Sequence, residues 1–163
     1  MLTCFGDDVE MDVLIYSLFS EICERWIKGR ALVEFLVKQG VFKDEAVRIA
    51  WKARRLPKVP PVDRIFIHLH RNQDPRYYRR FGTRVIGTRN YFQTALVCFA
   101  EKKISLEGLA SVGDEMLASK AGNAYDLAAN VADLLDRGAL KEDVVPQFAP
   151  LLVERNILPP GFP

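Results

Sequence analysis

At 163 residues, 49% hydrophobic and 27% charged, the chain is long enough to bury a sizeable core and too apolar for wholesale disorder. Its formal charge of +2 hides a strong polarity. Twelve of the 23 Lys and Arg residues fall between Arg48 and Arg89 against two carboxylates, Asp63 and Asp74, so that window carries +10 and the other 121 residues −8. No apolar run approaches the roughly 20 residues that cross a bilayer.

The first segment, 1–56, reads as helical. Asp7 is a candidate N-cap with Glu10 three positions on. Met11, Leu14, Leu18, Ile22 and Trp26 then recur at helical spacing, with Ile15, Phe19 and Ile27 widening the inward stripe. A short helix is expected over 31–39, ended by Gly40 in a left-handed conformation. Another is expected over 44–55, closed at Leu56 by the following Pro57.

The second segment, 57–90, breaks the helical rhythm. Pro57, Pro60 and Pro61 make a semi-rigid connector. From Arg64 to His70 the residues alternate, with Ile65, Ile67 and Leu69 on one face and Arg64, Phe66, His68 and His70 on the other, which predicts a strand. Asn72 to Pro75 is a turn. The repeated Gly82-Thr-Arg84 and Gly87-Thr-Arg89 predict a β-hairpin or paired tight turns.

From Asn90 the chain returns to helices. One is expected over 91–103. A short one capped by Ser105 follows, then one capped by Asn123 with Asp126 at its third position, stopped at Gly138. The last carries Phe148, Leu151, Leu152 and Arg155, with Pro146 and Pro150 confined to its first turns. The tail from Leu158 is apolar and non-helical. A likeness between 36–47 and 134–145 has two readings: two helix-Gly-helix corners that obey common capping rules, the leading one, or a duplicated helical hairpin.

The fold class expected is mainly α: a single bundle-like domain over 1–163 with about seven helices. A small β-hairpin or irregular basic insertion at 62–90 separates helical parts at 1–56 and 91–158, and 159–163 is a tail. The acidic residues ahead of the first apolar stretch are unlike a secretory signal. Three widely spaced cysteines, Cys4, Cys23 and Cys98, form neither a paired framework nor a zinc or redox motif. A reducing, cytoplasmic setting without a membrane partner is the expectation.

Function centres on the basic block. Arg48, Lys52 and Arg55 share one helix face, beside a flank where Val47 and Trp51 are expected to pack. Arg64, Arg71, Arg76, Arg79, Arg80, Arg84 and Arg89 add seven more guanidinium groups. Guanidinium binds phosphate bidentately and stacks on rings, as ammonium does not. Tyr77, Tyr78 and Phe81 interleave with these arginines as candidate platforms for bases, a combination suited to RNA or single-stranded DNA. Roughly six to ten phosphate contacts would make such binding steeply salt-dependent.

The leading expectation is therefore a non-enzymatic nucleic-acid- or polyanion-binding protein without a cofactor. A second is a helical protein-interaction or assembly module whose block docks an acidic partner or another copy. A third is a His- or metal-dependent nuclease or hydrolase built on His68 and His70, with Asp63 or Asp74 as further ligands. Gly82 to Gly87 has P-loop glycine spacing, but Thr88-Arg89 replaces the phosphate-binding lysine, so that match fails. Carboxylate pairs such as Glu142-Asp143 sit where helix N-termini take negative charge.

Overall fold

The computed structural model describes residues 1–60, 62–71 and 73–163. The expected roles of Pro61 in the connector and Asn72 in the turn lie outside them. In chain order the elements are β1 (Leu2–Asp7), α1 (Asp12–Glu24), α2 (Gly29–Lys38), α3 (Lys43–Ala53), β2 (Val62–His68), a 3-10 segment (Pro75–Phe81) and β3 (Val85–Thr88). Then come α4 (Tyr91–Ala100), α5 (Leu106–Ala118), α6 (Ala124–Asp136), a 3-10 turn (Glu142–Val144) and α7 (Val145–Glu154). With 56% of residues helical, the mainly α class holds, beside a small parallel sheet in the order β1-β2-β3.

The sheet corrects the expected hairpin. Ile65 N–H donates to Arg84 O and Leu69 N–H to Thr88 O, both at 2.9 Å and both 19 residues apart, so β2 and β3 run in the same direction. Parallel strands need a crossover of a dozen or more residues, and residues 69–84 supply it. Gly82 does take a turn conformation, at φ +101°. Gly87 lies inside β3, so the two Gly-Thr-Arg copies do not form paired turns. Along β2, Ile65, Phe66 and Ile67 are all buried, as expected of a central strand covered on both faces. Phe66 stacks on Phe5 of β1 at 5.5 Å.

The amino-terminal segment opens on a strand rather than a helix. The Asp7 carboxylate accepts the N–H groups of Val9 and Glu10, bonds that resemble a helix cap in sequence. They instead shape the turn from β1 into α1. Gly6 is required there, because a Cβ would collide with the Asp12 side chain, whose carboxylate accepts Asp7 N–H.

Two units emerge from the pattern of residue neighbours: Met1–Ile67 with Tyr77–Ile86, and His68–Arg76 with Gly87–Pro163. The core of the first joins Ile22 of α1, Leu32 and Leu36 of α2, and Ala46, Ala50 and Ala53 of α3. Those three alanines make an inward face small enough for α2 and α3 to approach closely. Arg25 ends α1 at φ +68° and donates to the carbonyls of Ala53, Arg54 and Leu56. It thereby satisfies the carbonyls that the end of α3 leaves unpaired.

In the second unit, Phe92, Leu96, Leu109, Leu127, Val131, Leu134, Phe148 and Leu152 are buried. Asn123 and Asp126 form the expected reciprocal cap, and Ser105 caps an α5 that runs on to Ala118. Pro150 sits inside α7 rather than in its first turns. The carbonyl it leaves without a partner, four residues back at Pro146, belongs to that first turn. The tail folds onto its own unit: Ile157 and Leu158 are buried, and Ile157 packs against α5 where Gly113 has no side chain.

The internal likeness has a local cause. Val41 N–H bonds Leu36 O and Gly40 N–H bonds Val37 O, just as Ala139 N–H bonds Leu134 O and Gly138 N–H bonds Leu135 O. Both are the same glycine-terminated corner, with φ +91° at Gly40 and +65° at Gly138.

Candidate nucleic-acid interface

The basic block divides between the units, and each part has its own geometry. In the first unit α3 turns Ala46, Ala50 and Ala53 inward. Its other side then carries Val47, Arg48, Trp51, Lys52 and, just past its end, Arg55. Val47 and Trp51 do not pack as expected; each is 51% exposed. The Arg55 guanidinium carbon lies 3.8 Å from the Trp51 ring centroid, a cation–π distance. Arg48 pairs with Glu45 one turn back, an exposed pair that contributes little. Lys52 and Arg54 have no side-chain partner among the described residues.

The 3-10 segment supplies a second arginine–ring pair. Arg80 lies 4.7 Å from the Tyr77 ring and 5.5 Å from that of Phe81. Tyr77 is 42% exposed, while Tyr78 is buried and meets Tyr77 edge-on at 5.4 Å. Tyr78 thus serves the core and offers no open face to a base. Arg79 is exposed.

Two of the candidate arginines in this unit are engaged internally. Arg64 donates to Thr83 O at 2.7 Å. Arg84 donates to Glu24 Oε1 at 2.6 Å, to the Ser20 hydroxyl and to Val62 O. Hydrogen bonding from Arg84 holds the Glu24 carboxyl below the usual carboxylate range, outweighing the opposing effect of burial, and the same bond raises the Arg84 pKa. Arg84 is a structural tie between the strand region and α1, and only about a third of its side chain is exposed.

In the second unit the carboxyl ends of β2 and β3 carry His68, His70, Arg71, Arg89 and Tyr91, at the edge where parallel sheets commonly bind ligands. His68 stacks on Tyr91 at 5.3 Å and meets His70 edge-on at 4.6 Å. Tyr91 is 67% exposed. Arg89 is exposed, and its side chain has no partner among the described residues. Arg76 forms an exposed pair with Asp136. Among the described residues no group of three His, Cys, Asp or Glu side chains gathers as a metal site, and no helix is long and apolar enough to cross a membrane.

A buried polar network supports this edge. Gln93 is fully buried, accepts Arg89 N–H and donates to Asp133. Asp133 in turn accepts from Arg137, which donates to Gly87 O. Sequence reasoning missed this network, as it missed Arg25, because the bonds that tie its parts together, Gln93 to Asp133 and Arg137 to Gly87, join residues 40 and 50 positions apart. Cys23 and Cys98 are buried as expected, and Cys4 is half-buried. Burial raises the Cys4 and Cys23 thiol pKa values, which lowers their reactivity.

No known protein family, curated protein or solved structure matches the chain.

Proposed function

We propose that the protein is a non-enzymatic binding protein that engages single-stranded nucleic acid, RNA or single-stranded DNA, through arginine-backed aromatic rings. The observation that carries this reading is the half-exposed Trp51 ring with Arg55 against it, on one helix face with Arg48 and Lys52. A base stacks on an aromatic ring whatever its identity, and adjacent guanidinium and ammonium groups follow the phosphates. The Tyr77–Arg80 pair repeats the arrangement in the same unit, and Arg89 beside Tyr91 supplies the same pairing of residue types in the other.

Arg84, Arg64, Arg76 and Tyr78 contribute less, since each already has a structural partner or is buried. Titration of a labelled single-stranded oligonucleotide tests the reading. Binding by the wild type that falls in Trp51→Ala and Arg55→Ala supports it, and equal affinity in all three removes it.

A second reading, a protein-interaction module, is favoured by the distribution of exposed apolar side chains. Among the described residues the large ones crowd the first unit, and only Tyr91 and Tyr125 fall in the second.

A further inference from the structure

One stripe of α1 is left unfinished. Ile15 and Ile22 lie seven residues apart, two turns along the same side of the helix. Ile22 is 8% exposed within the α2–α3 core, whereas Ile15 is 57% exposed. Met11 and Phe19 continue the open part at four-residue steps, at 55% and 39%. The Tyr16 hydroxyl, donating to Phe5 O, ties this helix to β1, where Phe5 is 59% exposed. β1 is an edge strand of the sheet. Large apolar side chains left exposed along one helix stripe, and on the strand bonded to that helix, mark an interaction site.

Charge identifies the occupant. Residues 1–24 hold six carboxylates and no Lys or Arg, and Glu10 just ahead of α1 and Glu21 within it are exposed. A two-fold pairing of this face with itself would set like charges together. The outer face of α3 in the same unit is its complement: Val47 and Trp51 are apolar and half-exposed, and Arg48, Lys52 and Arg55 surround them.

We propose that the chain associates head to tail, the Phe5–Ile15–Phe19 face of one copy docking on the Val47–Trp51 face of the next, which brings the acidic 1–24 segment toward the α3 cations. An interface between two different faces repeats from copy to copy until a ring closes or a filament grows. The α3 face is the one proposed to stack bases, so a second copy and a nucleic acid compete for it, whereas the α1–β1 face, whose segment carries no Lys or Arg, serves assembly alone.

The test pairs two variants, each lacking one face. Ile15→Lys sets a cation against the α3 cations, and Trp51→Glu sets an anion against the acidic 1–24 segment. Both positions are more than half exposed, and circular dichroism confirms folding; Phe19→Lys and Val47→Glu replace either variant that fails to fold. Sedimentation velocity of the wild type at low salt should show assemblies larger than a dimer. Each variant alone should run as an 18.5 kDa monomer, and their mixture as a 1:1 complex of twice that mass. A wild type that stays monomeric at about 100 μM, far above the Kd of a modest interface, overturns the proposal. So does an Ile15→Lys variant that assembles like the wild type, or a mixture that stays monomeric. Ile15→Lys leaves the α3 face intact and uncovered, so it should bind the oligonucleotide at least as tightly as the wild type, and loss of assembly is distinguishable from loss of nucleic-acid binding.

Discussion

The Arg55 guanidinium lies 3.8 Å over the Trp51 ring, and both side chains stand on the solvent side of α3. One exposed cation–π pair of this kind stabilises the fold by only about 0.5–1 kcal/mol. Its consequence for a ligand is larger, because the ring is held open and flanked by charge.

If bases stack on Trp51, its fluorescence reports the event directly. The chain has two tryptophans, so a Trp26→Phe background isolates it. Saturating single-stranded oligonucleotide should quench the emission in that background. Trp51→Ala should weaken affinity roughly 5- to 150-fold, the range given by about 1–3 kcal/mol per stacked base. Unchanged emission and unchanged affinity would place the bases elsewhere.

Glu24 and Arg84 make the fold acid-sensitive. The depressed Glu24 pKa means that its pairing contributes stability above the unfolded value of about 4.3 and loses it as pH falls through the folded value. Glu24→Gln should therefore lower stability at pH 7 by roughly 1–2 kcal/mol. The difference should narrow below about pH 4. Urea midpoints at pH 7 and pH 3 measure it, and a gap of equal size at both would contradict the assignment.

Gly113 is where the tail docks. A Cβ at this position would meet Ile157 Cγ2 at 2.5 Å, and overpacking of that order costs about 1–3 kcal/mol. Gly113→Ala should lower Tm by roughly 2–12 °C, at about 2–4 °C per kcal/mol for a chain of this length. Because Cγ2 is one of the methyls that Val retains, Ile157→Ala rather than Ile157→Val should recover part of the loss. Additive losses in the double variant would mean that the two residues do not meet.

Arg25 caps α3 from a distance. Removing its three hydrogen bonds to Ala53, Arg54 and Leu56 carbonyls with Arg25→Ala should cost about 1 kcal/mol, in the range for a cation at a helix C-terminus. Amide hydrogen exchange should accelerate in the last turn of α3 and remain unchanged in α5 and α6. Uniform acceleration would argue against a local cap.

What the sequence shows of this fold is mostly its local part. Asn123 with Asp126, Ser105, Gly40 and Gly138 act within four or five residues of their own positions, and all shape helix ends as their types predict. The strand at β2 was legible from alternation, but its parallel partner was not, since that choice depends on a crossover of residues 69–84 rather than on a turn motif. β1 was hidden by Asp7, whose side chain bonds the following N–H groups in a turn as it would in a helix cap.

The candidate site was legible in composition and not in exposure. Apolar periodicity in α1 and α3 looks the same whether or not another element covers it, so Ile15, Val47 and Trp51 read as core. Arg84 and Tyr78 read as ligand groups for the converse reason: Glu24 lies 60 residues from Arg84, and Tyr78 is buried by neighbours that the local sequence does not specify.

The most direct test of nucleic-acid binding is an oligonucleotide titration at two salt concentrations. Arg48, Lys52, Arg55 and Arg80 of the first unit offer about four phosphate contacts to a single strand. At a slope of about −0.7 per contact, these predict an affinity roughly 50-fold weaker at 200 mM salt than at 50 mM. Tight binding at low salt with that dependence is the expected result; no binding at about 50 mM salt, where phosphate contacts are strong, would contradict the proposed function.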